Sequence, residues 1–276
     1  MRTVRIANDI HVPCLGQGTW NMGEDSARRA EETAALRVGV ELGMTLIDTA
    51  EMYGDGAAEA LIGEALSPMR DGLFLVSKAY PQNASRDRLQ MACEASLRRL
   101  GTDRLDLYLL HWRGRVPLSE TIAGMQALQR AGKILHWGVS NLDTEDMDEL
   151  VDAGGSACVT DQILYNLTRR GPERDLLPWL VDHGMSAMAY SPVEQGRLID
   201  RADLASIAAD VGLTPAQTAL SWTLRHQNVI AIPKAGTVPH VRENRDAVEV
   251  VLSSKTIARL EKAFPAPHGR VPLEML

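Results

Sequence analysis

Residues 45–56 read "TLIDTAEMYGDG", a short apolar, β-branched run that meets a carboxylate at Asp48 and, five residues on, a phenol at Tyr53. The run is a strand leaving a buried core. Two readings of its polar residues compete: Asp48 caps the next helix while Tyr53 packs on it, or both project into a shared site. The same unit recurs down the chain. Candidate strands lie at 13–19 ("PCLGQGT"), 45–49, 73–78 ("LFLVSK"), 105–111 ("LDLYLLH"), 135–141 ("LHWGVSN"), 158–163 ("CVTDQI"), 185–191 ("MSAMAYS") and 229–234 ("VIAIPK"). Helical patterns separate them. In 85–101, Leu89, Cys93, Ser96, Leu97 and Leu100 share a face, with Ser85 as N-cap and Gly101 as left-handed stop. Ser119 opens a second helix that Gly132 ends, Pro172 takes the first position of a third that Gly184 ends, and "TPAQ" at 214–217 opens a fourth.

Eight strand–helix alternations without a composition break predict one (β/α)₈ TIM barrel over residues 1–276. A doubly wound sheet looks alike over its first strands, so the count decides. "ND" at 8–9, between two short β-like runs, predicts an N-terminal β-hairpin closing the barrel floor.

A chain of 276 residues hides roughly 75% of its unfolded surface on folding. Apolar residues make up 45% and charged residues 24%, an ordinary globular balance. The formal net charge of −7 argues against nucleic acid or an anionic membrane as partner. Cys14, Cys93 and Cys158 are scattered and odd in number, which fits reduced thiols in a cytoplasmic protein. The start, "MRTVRIANDIHVP", has no apolar signal-peptide core, and no segment approaches the roughly 20 apolar residues of a membrane helix. With no HExxH and no CxxC pair, no metal is expected. A monomer or small homo-oligomer fits this composition equally well.

Active sites of such barrels sit at the C-terminal ends of the strands. Reading those ends gives Asp48, Lys78, His111, Ser140 with Asn141, Gln162, Tyr190 with Ser191, and Lys234. Asp48, Lys78 and His111 come from adjacent strands, and Tyr53 from the loop after Asp48. A free tyrosine titrates near 10, a weak acid at neutral pH. A neighbouring Lys78 cation is expected to lower that pKa, with Asp48 keeping the lysine charged. His111 can donate a hydrogen bond to an oxygen gaining negative charge, worth on the order of 10²–10³ in rate. This suits delivering a proton to a carbonyl oxygen while a hydride arrives at its carbon.

"LIDTAEMYG", "LVSKA", "LDLYLLHW", "GVSN" and "IPKAGTVPHVREN" (232–244) resemble, in order, the signatures of the aldo-keto reductases. The likeness runs essentially end to end. It implies NADPH-dependent reduction of small aldehydes, ketoaldehydes or ketones on a (β/α)₈ barrel, with Asp48, Tyr53, Lys78 and His111 as catalytic residues and Tyr53 as proton donor. It further implies that Ser140, Asn141 and Gln162 hold the nicotinamide carboxamide and Tyr190 stacks beneath the ring. Ser191, Val193, Gly196 and Leu198, in "SPVEQGRL", would line the pyrophosphate. Lys234 and Thr237 would approach the adenosine 2′-phosphate, with Glu243 and Asn244 at the adenine. Six residues beyond Lys234, where the family usually has an arginine on that phosphate, this chain has His240. A neutral imidazole cannot replace a permanent, bidentate guanidinium, so NADH remains open beside NADPH. The ending "FPAPHGRVPLEML" is similar to that of bacterial members reported as methylglyoxal reductases.

Trp20, Tyr80 and Trp112, near the ends of the first, third and fourth strands, are expected in the substrate pocket; Trp137, Trp179 and Trp222 are expected to pack. "GQGTWN" at 16–21 lacks the third glycine and the helix of a dinucleotide loop. His183 sits at a helix end, where the dipole accounts for it. Short loops and a short tail predict an open site. Two rival functions are a Schiff-base aldolase using Lys78, which Asp48 disfavours by keeping the amine charged, and a non-enzymatic NADPH-binding regulatory subunit.

Overall fold

The computed structural model describes residues 1–7 and 10–276 of the chain. It opens with a hairpin, β1 (Thr3–Ala7) antiparallel to β2 (Ile10–Pro13). The turn expected at Asn8 and Asp9 lies outside the described residues. Val4, Ile6 and Val12 alternate with exposed neighbours and join Leu46, Val76, Leu107, Met188 and Ile230 in one apolar cluster. Since side chains two apart share a face, Leu46, Val76 and Met188 lie one pleat below Asp48, Lys78 and Tyr190. The hairpin therefore seals the end of the barrel opposite those polar groups.

Eight parallel strands follow: β3 (Gln17–Gly18), β4 (Leu46–Asp48), β5 (Phe74–Ala79), β6 (Leu105–Leu110), β7 (Ile134–Ser140), β8 (Thr160–Leu164), β9 (Ser186–Tyr190) and β10 (Val229–Ala231). Each pairs with the next in chain order. Bridges from Leu15 to Ala231 and from Gly18 to Lys234 join the first strand to the last. The first and last strands are shorter than the sequence suggests. Pro13 ends the hairpin rather than starting the barrel, and Pro233 has no N–H to give the ladder, although its carbonyl accepts from Gly18 N at 3.0 Å.

Helices α1 (Arg29–Glu41), α2 (Ala57–Leu66), α3 (Arg86–Leu100), α4 (Leu118–Arg130), α5 (Thr144–Asp152) and α6 (Leu176–Asp182) separate successive strands. Two helices, α7 (Ala202–Asp210) and α8 (Pro215–Thr223), lie between β9 and β10, and α9 (Val238–Asp246) and α10 (Ser254–Ala263) follow. The "TPAQ" stretch forms a full capping box, with Thr214 Oγ1 accepting from Gln217 N and Gln217 Oε1 from Thr214 N, both at 3.1 Å. Gly101 ends α3 at φ 63° as expected. Ser85 is the N-cap of α3 as expected, extended but without a side-chain capping hydrogen bond. Two helix starts differ from the sequence reading: α4 begins at Leu118 after Pro117, and Pro172 sits in a separate 3₁₀ turn. Asp175 caps α6 instead, accepting from Leu176 N at 2.8 Å.

Trp137 and Trp222 are fully buried in the core. Trp179 is half-buried on α6; its Nε1 donates to Asp148 at 2.8 Å and its ring stacks on His183 at 3.7 Å. Gly138 is the tightest point of β7. A Cβ there would lie 2.6 Å from the Thr160 carbonyl oxygen and 2.9 Å from Leu109 Cδ2. Gly138→Ala is expected to destabilise the fold by about 1–3 kcal/mol through overpacking, read as a lower denaturant midpoint; an unchanged midpoint would show that β7 and β8 separate freely.

Candidate active site

Asp48 ends β4, Lys78 lies near the end of β5, and His111 follows β6 directly. Tyr53 reaches them from a 3₁₀ turn, where Gly54, Asp55 and Gly56 take φ of 56°, 50° and 90°. Gly56 is required twice over: its φ is left-handed, and a Cβ would meet the Arg99 side chain at 2.4 Å. Arg99 is held there by Glu59, whose other oxygen accepts from Ser77 Oγ. The segment between Asp48 and Tyr53 is tied to the next loop by Glu51 Oε1, which accepts from Tyr80 N at 2.7 Å and Asn83 Nδ2 at 2.9 Å.

The Lys78 ammonium has no exposed surface and donates to three oxygens: Asp48 Oδ2 at 2.9 Å, Thr49 O at 2.8 Å and Tyr53 Oη at 3.2 Å. All three of its N–H groups are thus used. Asp48 Oδ1 accepts from Gln162 Nε2 at 2.7 Å. The His111 and Tyr53 rings meet edge to face with centroids 5.9 Å apart. The sequence reading brings these four groups together, and so does the fold.

Their acid–base character departs from expectation at one point. Burial raises the Tyr53 pKa and outweighs the pull of Lys78, which acts downward as anticipated. The phenol is therefore a protonated group at neutral pH. Burial also works against the Lys78 ammonium, but Asp48 and Tyr53 overcome it and raise its pKa. Burial, reinforced by Lys78, pushes His111 down to about 2. Its Nδ1 is buried without a hydrogen-bond partner.

Asp48, Tyr53 and His111 line a cavity of about 730 Å³, with Lys78 buried behind them. Trp20, Trp112, Ser140, Asn141, Gln162, Tyr190, Ser191, Val193, Gly196, Lys234, His240, Glu243 and Asn244, all expected at the site, line it. Tyr80, Thr237 and Leu198 do not. Tyr80 instead packs edge-on against Trp112 at 5.8 Å, Thr237 caps α9, and Leu198 is buried in the core. A chain of hydrogen bonds links the wall to the floor: Tyr190 Oη donates to Asn141 Oδ1 at 2.9 Å, and Asn141 Nδ2 donates to Ser140 Oγ at 3.0 Å. Ser140 Oγ donates to Gln162 O at 2.7 Å.

Backbone conformation marks the same place. Asn21, Asn141, Ser191 and Gln195 have positive φ without being glycine, and all line the cavity; such strain concentrates at functional sites. The 191–196 loop is pinned from beneath by the buried Glu194 carboxylate, which accepts from Asn166 Nδ2 and Arg169 Nη2, each at 2.7 Å. The C-terminal tail takes part in the site. Arg270 pairs with Asp175 and Glu145, Glu274 pairs with Arg169, and Met275 and Leu276 reach the cavity wall. Leu276 N donates to Tyr190 Oη at 3.4 Å. The charges of Arg270 and Glu274 were the signal in the sequence, but their partners lie far away along the chain. Among the described residues, no three His, Cys, Asp or Glu side chains gather as a metal site requires, and no helix is long and apolar enough to cross a membrane.

A barrel with this set of groups at the C-terminal rim defines a reductase class, and the chain belongs to it: residues 14–264 match the model of the aldo/keto reductase family. It is 52% identical to methylglyoxal reductase YeaE of Escherichia coli (strain K12), over all of this chain and 99% of that one. It is 29% identical to glyoxal reductase of Bacillus subtilis (strain 168), over 94% of this chain and 91% of the relative. Among solved structures, an aldo/keto reductase from Klebsiella pneumoniae in complex with NADP and acetate is 49% identical, with a TM-score of 0.97 over all of this chain and 99% of that one.

The depressed His111 pKa predicts an imidazole that stays neutral through the working range. Nuclear magnetic resonance of its ring should show no titration between about pH 5 and 8; a midpoint near the free value of about 6.5 would contradict the burial that sets it.

Proposed function

We propose that this aldo/keto reductase reduces small aldehydes and ketoaldehydes, methylglyoxal among them, to alcohols with NADPH, and that Tyr53 donates the proton. One observation carries the reading: the buried Lys78 ammonium occupies a lone pair of Tyr53 Oη at the floor of the cavity. The likeness to a methylglyoxal reductase and to a structure holding NADP supports the substrate class and the cofactor.

The residues of the wall fit a nicotinamide dinucleotide. Ser140, Asn141 and Gln162 present amide and hydroxyl groups suited to a carboxamide, and Tyr190 supplies a ring to stack upon. Ser191, Val193 and Gly196 belong to a loop with left-handed residues at 191 and 194–196 that lines the cavity, a place suited to the pyrophosphate. Leu198 serves there by its place in the chain, since its side chain is in the core. Lys234 and the N-terminus of α9 at Thr237 suit a phosphate, with Glu243 and Asn244 near the base. When bound, NADPH supplies a hydride.

A carbonyl oxygen entering above Tyr53 meets two donors. With Lys78 on its lone pair, the phenol's single proton is free to point into the cavity. His111 is neutral and donates from Nε2, which leaves a lone pair rather than an N–H buried at Nδ1. As the carbon accepts the hydride, the oxygen gains charge and takes the Tyr53 proton. The phenolate left behind lies against Lys78, whose charge Asp48 maintains. Trp20, Trp112, Met275 and Leu276 give the cavity an apolar wall, which suits small carbonyls. Three free, buried cysteines support a reducing cytoplasm as the place of work.

Against the aldolase alternative stands the state of Lys78: a nucleophilic lysine must shed its proton, and three oxygens hold this one charged. Against a non-enzymatic subunit stands the completeness of the four-group cluster.

Tyr53→Phe is expected to lower the turnover of methylglyoxal by about 10²–10⁴-fold, the usual worth of a positioned acid, while NADPH binding measured by fluorescence stays largely intact. Turnover close to that of the native protein would remove Tyr53 as the donor.

A further inference from the structure

His240 leaves the proposed phosphate end of the cavity short of a permanent cation. It is exposed, and its backbone N donates to Thr237 Oγ1 at 3.4 Å. The cation present on the cavity wall at that end is Lys234, which forms no ion pair among the described residues.

A second cation arrives from elsewhere in the chain. Arg28 stands at the N-terminal boundary of α1, after the loop that leaves β3. Its guanidinium lies against the backbone of Gly236: a Cβ at Gly236 would come within 2.7 Å of Arg28 Nη2 and 3.3 Å of Lys234 Nζ. The guanidinium and the ammonium thus both border the space that a methyl group on Gly236 would occupy. Arg28 has only a long contact to an acid, 3.9 Å to Glu32 Oε1, and the other oxygen of that carboxylate is engaged by Gly23 N at 2.9 Å. Burial and, after it, Arg28 pull the Lys234 pKa down, against Glu32. Such a pair is stabilised by a dianion placed between its members, and a guanidinium offers the planar fork that fits phosphate oxygens.

We propose that Arg28 and Lys234 together seat the adenosine 2′-phosphate, with Arg28 supplying from the β3–α1 loop the guanidinium that position 240 lacks. Arg28 is then a determinant of NADPH over NADH. This rests on the NADPH reading above and goes beyond it by assigning a residue that sequence position alone did not suggest. The glycine at 236 has a role in the same seat, because any side chain there displaces Arg28.

The test is equilibrium binding of NADPH, NADH and adenosine 2′-monophosphate, each measured by calorimetry on the full chain without substrate. The native protein should bind NADPH more tightly than NADH; equal affinity would overturn both the cofactor reading and this proposal. Arg28→Gln, at a half-exposed position, is expected to weaken NADPH and adenosine 2′-monophosphate by about ten-fold or more, the worth of a lost charged hydrogen bond, and to leave NADH unchanged. Arg28→Lys should retain part of the difference, and Gly236→Ala, which fills that space, should shift the ratio in the same direction as Arg28→Gln. Adding His240→Arg to Arg28→Gln should recover preference for NADPH. A native protein that prefers NADPH by the same ratio after Arg28→Gln would overturn the role of Arg28 while leaving the cofactor reading intact.

Discussion

A lysine ammonium cut off from water is costly unless each of its protons finds an acceptor. Lys78 meets that condition with one carboxylate, one backbone carbonyl and one phenol, and the site's order follows from it. Asp48 must stay at the end of β4, where it is also held by Gln162 from across the barrel. Tyr53 must be carried back over the strand ends by a turn of left-handed residues, and Glu51 and the Glu59–Arg99 pair hold that turn down. Gln162 in turn is linked through Ser140 and Asn141 to Tyr190. The catalytic cluster and the proposed nicotinamide seat therefore meet at Gln162, whose side chain serves Asp48 and whose main-chain carbonyl serves Ser140.

Burial does two opposed things here. It holds Tyr53 protonated, which a donor needs, and it works against the charge on Lys78, which Asp48 restores. His111 is kept neutral by the same burial, so it can offer a hydrogen bond without competing as an acid. The low dielectric that makes these charges expensive also strengthens their pull on an oxygen that becomes negative during reaction.

Much of this was legible in the sequence because a parallel barrel places strand ends at one rim. Asp48, Lys78, His111, Ser140, Gln162, Tyr190 and Lys234 could be picked out as the polar residues closing apolar runs. What escaped depended on distance in the chain or on competition between forces. The direction of the Tyr53 shift turned on whether burial or Lys78 prevails, which no spacing reveals. The tail is short, and its reach into the site depends on ion pairs of Arg270 and Glu274 with remote partners, beside which Leu276 meets Tyr190. Arg28 lies in a loop with no recognisable motif, and only folding sets it beside Lys234.

The central claim is that Lys78 holds Tyr53 as a usable acid against the effect of burial. Titration of Tyr53 by nuclear magnetic resonance of ring-labelled tyrosine, in the native protein and in a folded Lys78→Met variant, tests it most directly. The account predicts a higher titration midpoint in the variant, where burial is unopposed. A midpoint that stays in place or falls would contradict it.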